Sequence, residues 1–190
     1  MKKLFFTMLL CVISISVSAQ EHLTFKGIPI DGSLTSFVEK LKAKGFTSVA
    51  VNSESAMMKG DFAGKICKTV IFATKKSKKV HSVIVEVETS NSWSTLKSTY
   101  NDYKSSLTTK YGNGDSIERF LPPYEAGDGY EMSALRLDKC TYLTKFTTAK
   151  GDIVLTIGYM EEGNVVLYYM DKVNTALSEA EEKSLISSDL

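Results

Sequence analysis

The chain carries two histidines, His22 and His81, and two cysteines outside its apolar start, Cys67 and Cys140. These are the residues from which metal or nucleophilic chemistry would have to be assembled. Their spacing does not favour it. There is no H-E-x-x-H, no C-x-x-C and no dense Asp/His cluster, so no metal centre is expected. "GNGDSIE" and "EAGDGYE" are only fragments of a calcium loop, which needs oxygen ligands at alternating positions. No G-x-S-x-G, Walker-type or dinucleotide fingerprint is present, and "YGNGD" follows a helix where a phosphate loop would open one. His81 sits among valines on a strand-patterned run, where a lone histidine is more often a core or rim residue than a ligand. Carboxylates are plentiful, but the sequence nominates no acid–base pair. No catalytic residue and no cofactor is expected.

Cys67 and Cys140 are a disulfide candidate, since an even pair in an exported protein favours bridging. Such a bridge would close a loop of more than seventy residues, worth about 4 kcal/mol in the chain-entropy description. The alternative is two separate buried thiols acting as small apolar groups.

Two stretches could serve recognition. "LPPYEAGDGY" is a stiffened loop presenting Tyr124 and Tyr130 with Glu125 and Asp128, and rigid tyrosines give large contact area at small entropic cost. Its plainer reading is a loop whose tyrosines cover the sheet edge. The second is a lysine turn, Lys75, Lys76, Lys78 and Lys79, suited to an acidic partner. More often such a turn is a solvated hairpin tip that discourages edge pairing.

These residues must be positioned by the rest of the chain. Lys2 and Lys3, the apolar run "LFFTMLLCVISISV" and the small residues of Val17-Ser18-Ala19 form a signal-peptide pattern over residues 1–19. Export to the periplasm or beyond is therefore expected, with Gln20 starting the mature chain. Leu10 before Cys11 is too large for a lipoprotein signal. Removing that segment takes two of the 23 basic residues and none of the 22 acids, leaving no global field toward nucleic acid or anionic lipid. No later stretch is apolar enough for stable membrane insertion.

Residues 20–190 are expected to form one α+β domain. After a strand-like "HLTFKGIPI", Leu34, Phe37, Val38 and Leu41 recur at helical spacing between a capping Ser33 and Gly45. "FTSVAV" and "AMMKGDFAG" read as strands. "KICKTVIFAT" and "KVHSVIVEVET" read as a hairpin with one buried and one mostly wet face. Trp93, Leu96, Tyr100, Tyr103 and Leu107 mark a long helix closed by Gly112. Strands are predicted at "DSIERFL", "EMSALRL", "CTYLTKFTT", "DIVLTIGYM" and "NVVLYYMDK". A short helix follows over 174–186, with Ser178 and Glu181 at capping-box spacing. Hairpin-length links require antiparallel pairing, with the helices packed on one face of the sheet.

The order also admits two tandem helix-plus-four-strand repeats, about 23–90 and 91–172. Each follows a helix with an aromatic-to-leucine step of four, Phe37 to Leu41 and Tyr103 to Leu107. That element order resembles the secreted β-lactamase inhibitor proteins and related small periplasmic modules. The resemblance covers architecture alone and carries over no functional residue.

The expected function is an exported, non-catalytic binding module for a protein, peptide or glycan of the envelope. Two alternatives are a carrier holding a small apolar ligand between helices and sheet, and a small envelope hydrolase.

Overall fold

The computed structural model describes residues 21–189, so the expected signal peptide lies outside the described residues. The chain enters through a minimal hairpin, β1 (Thr24–Phe25) and β2 (Ile28–Pro29), turned by Lys26 and Gly27, both at positive φ. Helix α1 (Leu34–Lys42) follows, its start fixed by Ser33, whose hydroxyl accepts from the Ser36 backbone N–H. Leu34, Phe37, Val38 and Leu41 are all buried along one stripe. Strands β3 (Thr47–Val51), β4 (Ser55–Phe62), β5 (Lys65–Ala73) and β6 (Val80–Ser90) come next.

Helix α2 (Trp93–Tyr111) opens the second half, followed by β7 (Asp115–Phe120), the short α3 (Glu131–Arg136), β8 (Cys140–Thr148), β9 (Gly151–Tyr159) and β10 (Gly163–Asp171). Helix α4 (Lys172–Asp189) ends the described chain. The eight later strands make one wholly antiparallel sheet in the order β3-β4-β5-β6-β10-β9-β8-β7. The final strand of each half is therefore central, and β3 and β7 are the free edges. The fold is α+β.

Alternation on the strands sets the layers. Val83 and Val85 of β6, Leu167 of β10, Ile153 and Leu155 of β9 and Phe146 of β8 are essentially inaccessible. They meet Phe25, Phe37, Leu41, Leu96 and Tyr100 in one core running through both halves. Each such apolar side chain contributes about 1.5–3 kcal/mol by leaving water. Tyr100 keeps its hydroxyl satisfied at 2.6 Å from Thr144 Oγ1, and its ring packs edge-on against Tyr142. Gly163 lets α2 approach β10 closely, because a Cβ there would stand 2.4 Å from Leu96 Cδ1 and 2.8 Å from the Ser90 carbonyl oxygen.

Three sequence expectations are corrected. "EMSALRL" is not a strand but forms α3, where Glu131 favours the first turn and Arg136 the last. The last helix begins at Lys172 rather than 174, because Asp171 caps it by accepting from the Val173 and Asn174 N–H groups at 3.1 and 2.9 Å. Ser178 lies inside that helix. Cys67 on β5 and Cys140 on β8 are both free, not bridged. Three strands lie between theirs, so four strand spacings, about 19 Å, separate them. A disulfide needs Cα atoms within about 7 Å.

Candidate functional site

The lysine turn is occupied from within the chain. Lys75 Nζ lies 2.9 Å from Glu182, Lys78 Nζ 3.4 Å from Glu54 and Lys79 Nζ 3.7 Å from Asp31, while Lys76 Nζ donates to Ser184 at 2.9 Å. Beneath them Glu181 accepts from the backbone N–H groups of Lys76 and Ser77 and from the Ser77 hydroxyl. The hydrogen bond from Ser77, followed by those from the two backbone groups, holds the Glu181 carboxyl below its ordinary range. The turn is thus the seat of α4, its lysines paired within the chain while remaining largely exposed.

The tyrosine loop is also tied internally. Both oxygens of Asp128 are engaged, one by the Glu125 N–H at 2.9 Å and the other by the Tyr130 N–H at 2.7 Å. Tyr130 and Glu125 are exposed and Tyr124 half-buried, so the aromatic tips and the Glu125 carboxylate are open to a partner.

The ionisable groups follow the same pattern. His22 Nδ1 stands 3.1 Å from Asp171 Oδ1, and its Nε2 3.7 Å from Asp31. Asp171 is fully buried and also accepts from the Leu23 N–H at 2.9 Å. This cluster stitches the start of the described chain to the cap of α4. Burial raises the Cys67 thiol, and burial with Glu131 nearby pushes Cys140 up to about 12. A thiol held protonated in this way is a poor nucleophile. Among the described residues no three His, Cys, Asp or Glu side chains converge as a metal would require, and no helix is long and apolar enough to cross a membrane.

The feature that remains lies on the other face of the sheet. Register places Met57 opposite Val70, Val70 opposite Ile84, Ile84 opposite Tyr168 and Tyr168 opposite Val154. Five apolar side chains thus form one row across β4, β5, β6, β10 and β9, spanning about 19 Å. The adjacent row starts polar, with Lys68 opposite Glu86, and continues through Val166 and Thr156. Lys68 and Glu86 pair at 2.8 Å, and Lys65 and Glu88 at 2.7 Å. A depression of about 460 Å³ opens over Met57, Val70, Phe72, Ile84, Val166 and Tyr168. At its lip Met160 is 78% exposed.

No family model, curated protein or solved structure matches this chain. The geometry must carry the functional reading.

An antiparallel sheet with one covered face ordinarily presents polar side chains to water on the other. Here the central strands present the half-buried Val70, Phe72, Ile84 and Tyr168 instead, around a more deeply buried Val166 and flanked by paired charges. A contiguous apolar patch with a polar rim is the surface expected of a contact site. None of the residues nominated from sequence lines this depression. A signal for it does exist: "TVIFA" and "VVLYYM" are apolar at successive positions, so both strand faces are apolar there.

Proposed function

We propose that the chain is an exported, non-catalytic binding module that receives a protein or peptide partner on the uncovered face of its eight-stranded sheet. The observation that carries this reading is the row Met57, Val70, Ile84, Tyr168 and Val154, apolar across five strands and beside the Lys68–Glu86 and Lys65–Glu88 pairs. Desolvating the row supplies affinity, and the charge ladder sets orientation. Export rests on the sequence pattern of residues 1–19.

The test compares the mature protein with its Ile84→Lys variant as bait in envelope extract. The reading expects a partner retained by the folded protein, absent from a denatured control and lost from the variant while circular dichroism is unchanged. Equal retention by both baits, or none by either, overturns it.

A further inference from the structure

On the helical side of the sheet, a second opening runs between α2, the β1–β2 hairpin and the edge of the core. It has a volume of about 300 Å³ and is lined by Phe62, Tyr103, Leu107, Tyr111, Leu167 and Tyr169, with Lys26 and Lys110 at its rim. Its walls are aromatic and continuous. Phe25 stacks on Phe62 with centroids 5.5 Å apart, and Phe62 lies within 7° of parallel to Tyr103 at 6.3 Å. Such faces and edges suit a planar ring.

The polar groups show what else would fit. Tyr169 is only 7% exposed and borders this opening beside Tyr103 and Tyr111. Burial raises the Tyr169 hydroxyl, and Tyr111 and Tyr103 raise it further, so the three phenols are near one another. Burial also pushes Tyr103 up to about 12. A phenol can donate through its O–H, and the lysines can only donate. Lys26 is engaged by Asp61 at 3.3 Å. Lys110 has no carboxylate partner among the described residues and sits 5.0 Å from the Tyr111 ring centroid.

We propose that this groove binds a small planar aromatic carboxylate, its ring against Phe62 and Tyr103 and its carboxylate at the Tyr169, Tyr111 and Lys110 end. The volume lies at the small end of ligand sites, and an anionic acceptor complements the Lys110 ammonium and the phenol O–H groups beside it. This site is separate from the sheet face, and its test is independent of any partner there.

The probe is 2-naphthoate, titrated into the mature protein by calorimetry beside 2-naphthylmethylamine, which carries the opposite charge on the same ring. The proposal expects saturable one-to-one binding of the carboxylate and none of the amine. Tyr169→Phe removes only the hydroxyl, so it should weaken binding about three- to tenfold without lowering Tm. Ser106→Trp, on the side of α2 that lines the opening, should abolish binding with circular dichroism unchanged. No saturable binding of 2-naphthoate, equal binding of the amine, or affinity unchanged in Tyr169→Phe would each overturn the proposal.

Discussion

Glu181 on α4 reaches back to the β5–β6 turn and accepts the Lys76 backbone N–H at 2.6 Å, more than a hundred residues away in sequence. One carboxylate thereby fixes the angle at which the last helix leaves the sheet. Replacing it with Gln leaves a single acceptor oxygen for the three donors of Lys76 and Ser77. The Glu181→Gln variant should show faster amide exchange at Lys76 and Ser77 and along the second half of α4. Exchange in α2 should not change. Exchange rising equally everywhere would mean that the contact supports the whole fold rather than this corner.

Asp171 does comparable work at the other end of α4. It caps the helix through Val173 and Asn174 and holds the Leu23 backbone, all from a fully buried position. Asp171→Ala removes an N-cap and strands the buried Leu23 and Asn174 donors and the part-buried Val173 one, which should lower stability by about 3 kcal/mol in urea unfolding. Asp171→Asn retains one acceptor and should lose roughly half as much. His22→Ala should lose less than either, because its ring is one of several donors to the same carboxylate.

Acid should weaken the protein in two stages. Burial holds the His81 ring below its ordinary 6.5, and its Nδ1 has no partner. The unfolded chain therefore binds the extra proton first, and stability present above about pH 6.5 declines as pH falls toward the folded value. Burial pushes Asp31 up, but hydrogen bonds from the Gly32 backbone and the Asn174 side chain, with His22 and Lys79 nearby, outweigh it and leave the carboxyl below its ordinary 3.8. Glu181 is likewise lowered from 4.5. Their contributions are present above those values and are lost as pH falls through the lower folded ones. Urea midpoints should drop from pH 7.5 to 5.5 and again below pH 4.5. His81→Gln should flatten the first step alone.

The cysteines give a direct chemical check. With three strands between β5 and β8, oxidation should leave both thiols titratable after unfolding in mass-spectrometric labelling. In the native state Cys140 should react slowly, since its thiol is pushed up to about 12. The double change Cys67→Ser, Cys140→Ser should cost about 1–3 kcal/mol for a hydroxyl placed at buried Cys67, rather than the loss that follows breaking a bridge.

Local periodicity made much of this fold legible. The stripe Leu34, Phe37, Val38, Leu41 and the cap Ser33 are local signals, and α1 occupies them without shift. Hairpin-length links likewise required the antiparallel sheet. What failed depended on distant contacts. Ser178 and Glu181 have the spacing of a capping box, but Asp171 supplies the cap and Glu181 is drawn to Ser77. Seven residues at "EMSALRL" are too few for periodicity to separate strand from helix. The apolar row on the open face could not be assembled before register was known, because Met57, Val70, Ile84, Tyr168 and Val154 come from five strands.

That open face yields the sharpest contrast available in the molecule. Ile71 and Phe72 are neighbours on β5 and point to opposite sides of the sheet. Ile71 is 0% exposed within the core, whereas Phe72 borders the 460 Å³ depression. Ile71→Lys buries an unpaired ammonium and should prevent folding, a loss above about 4 kcal/mol. Phe72→Lys can extend its charge into water along an apolar stem, so it should cost about 1 kcal/mol. Both are read by urea unfolding and circular dichroism at pH 7.5. If Phe72→Lys unfolds the chain as Ile71→Lys does, the second face is not a surface and the binding row across β4 to β9 has no standing.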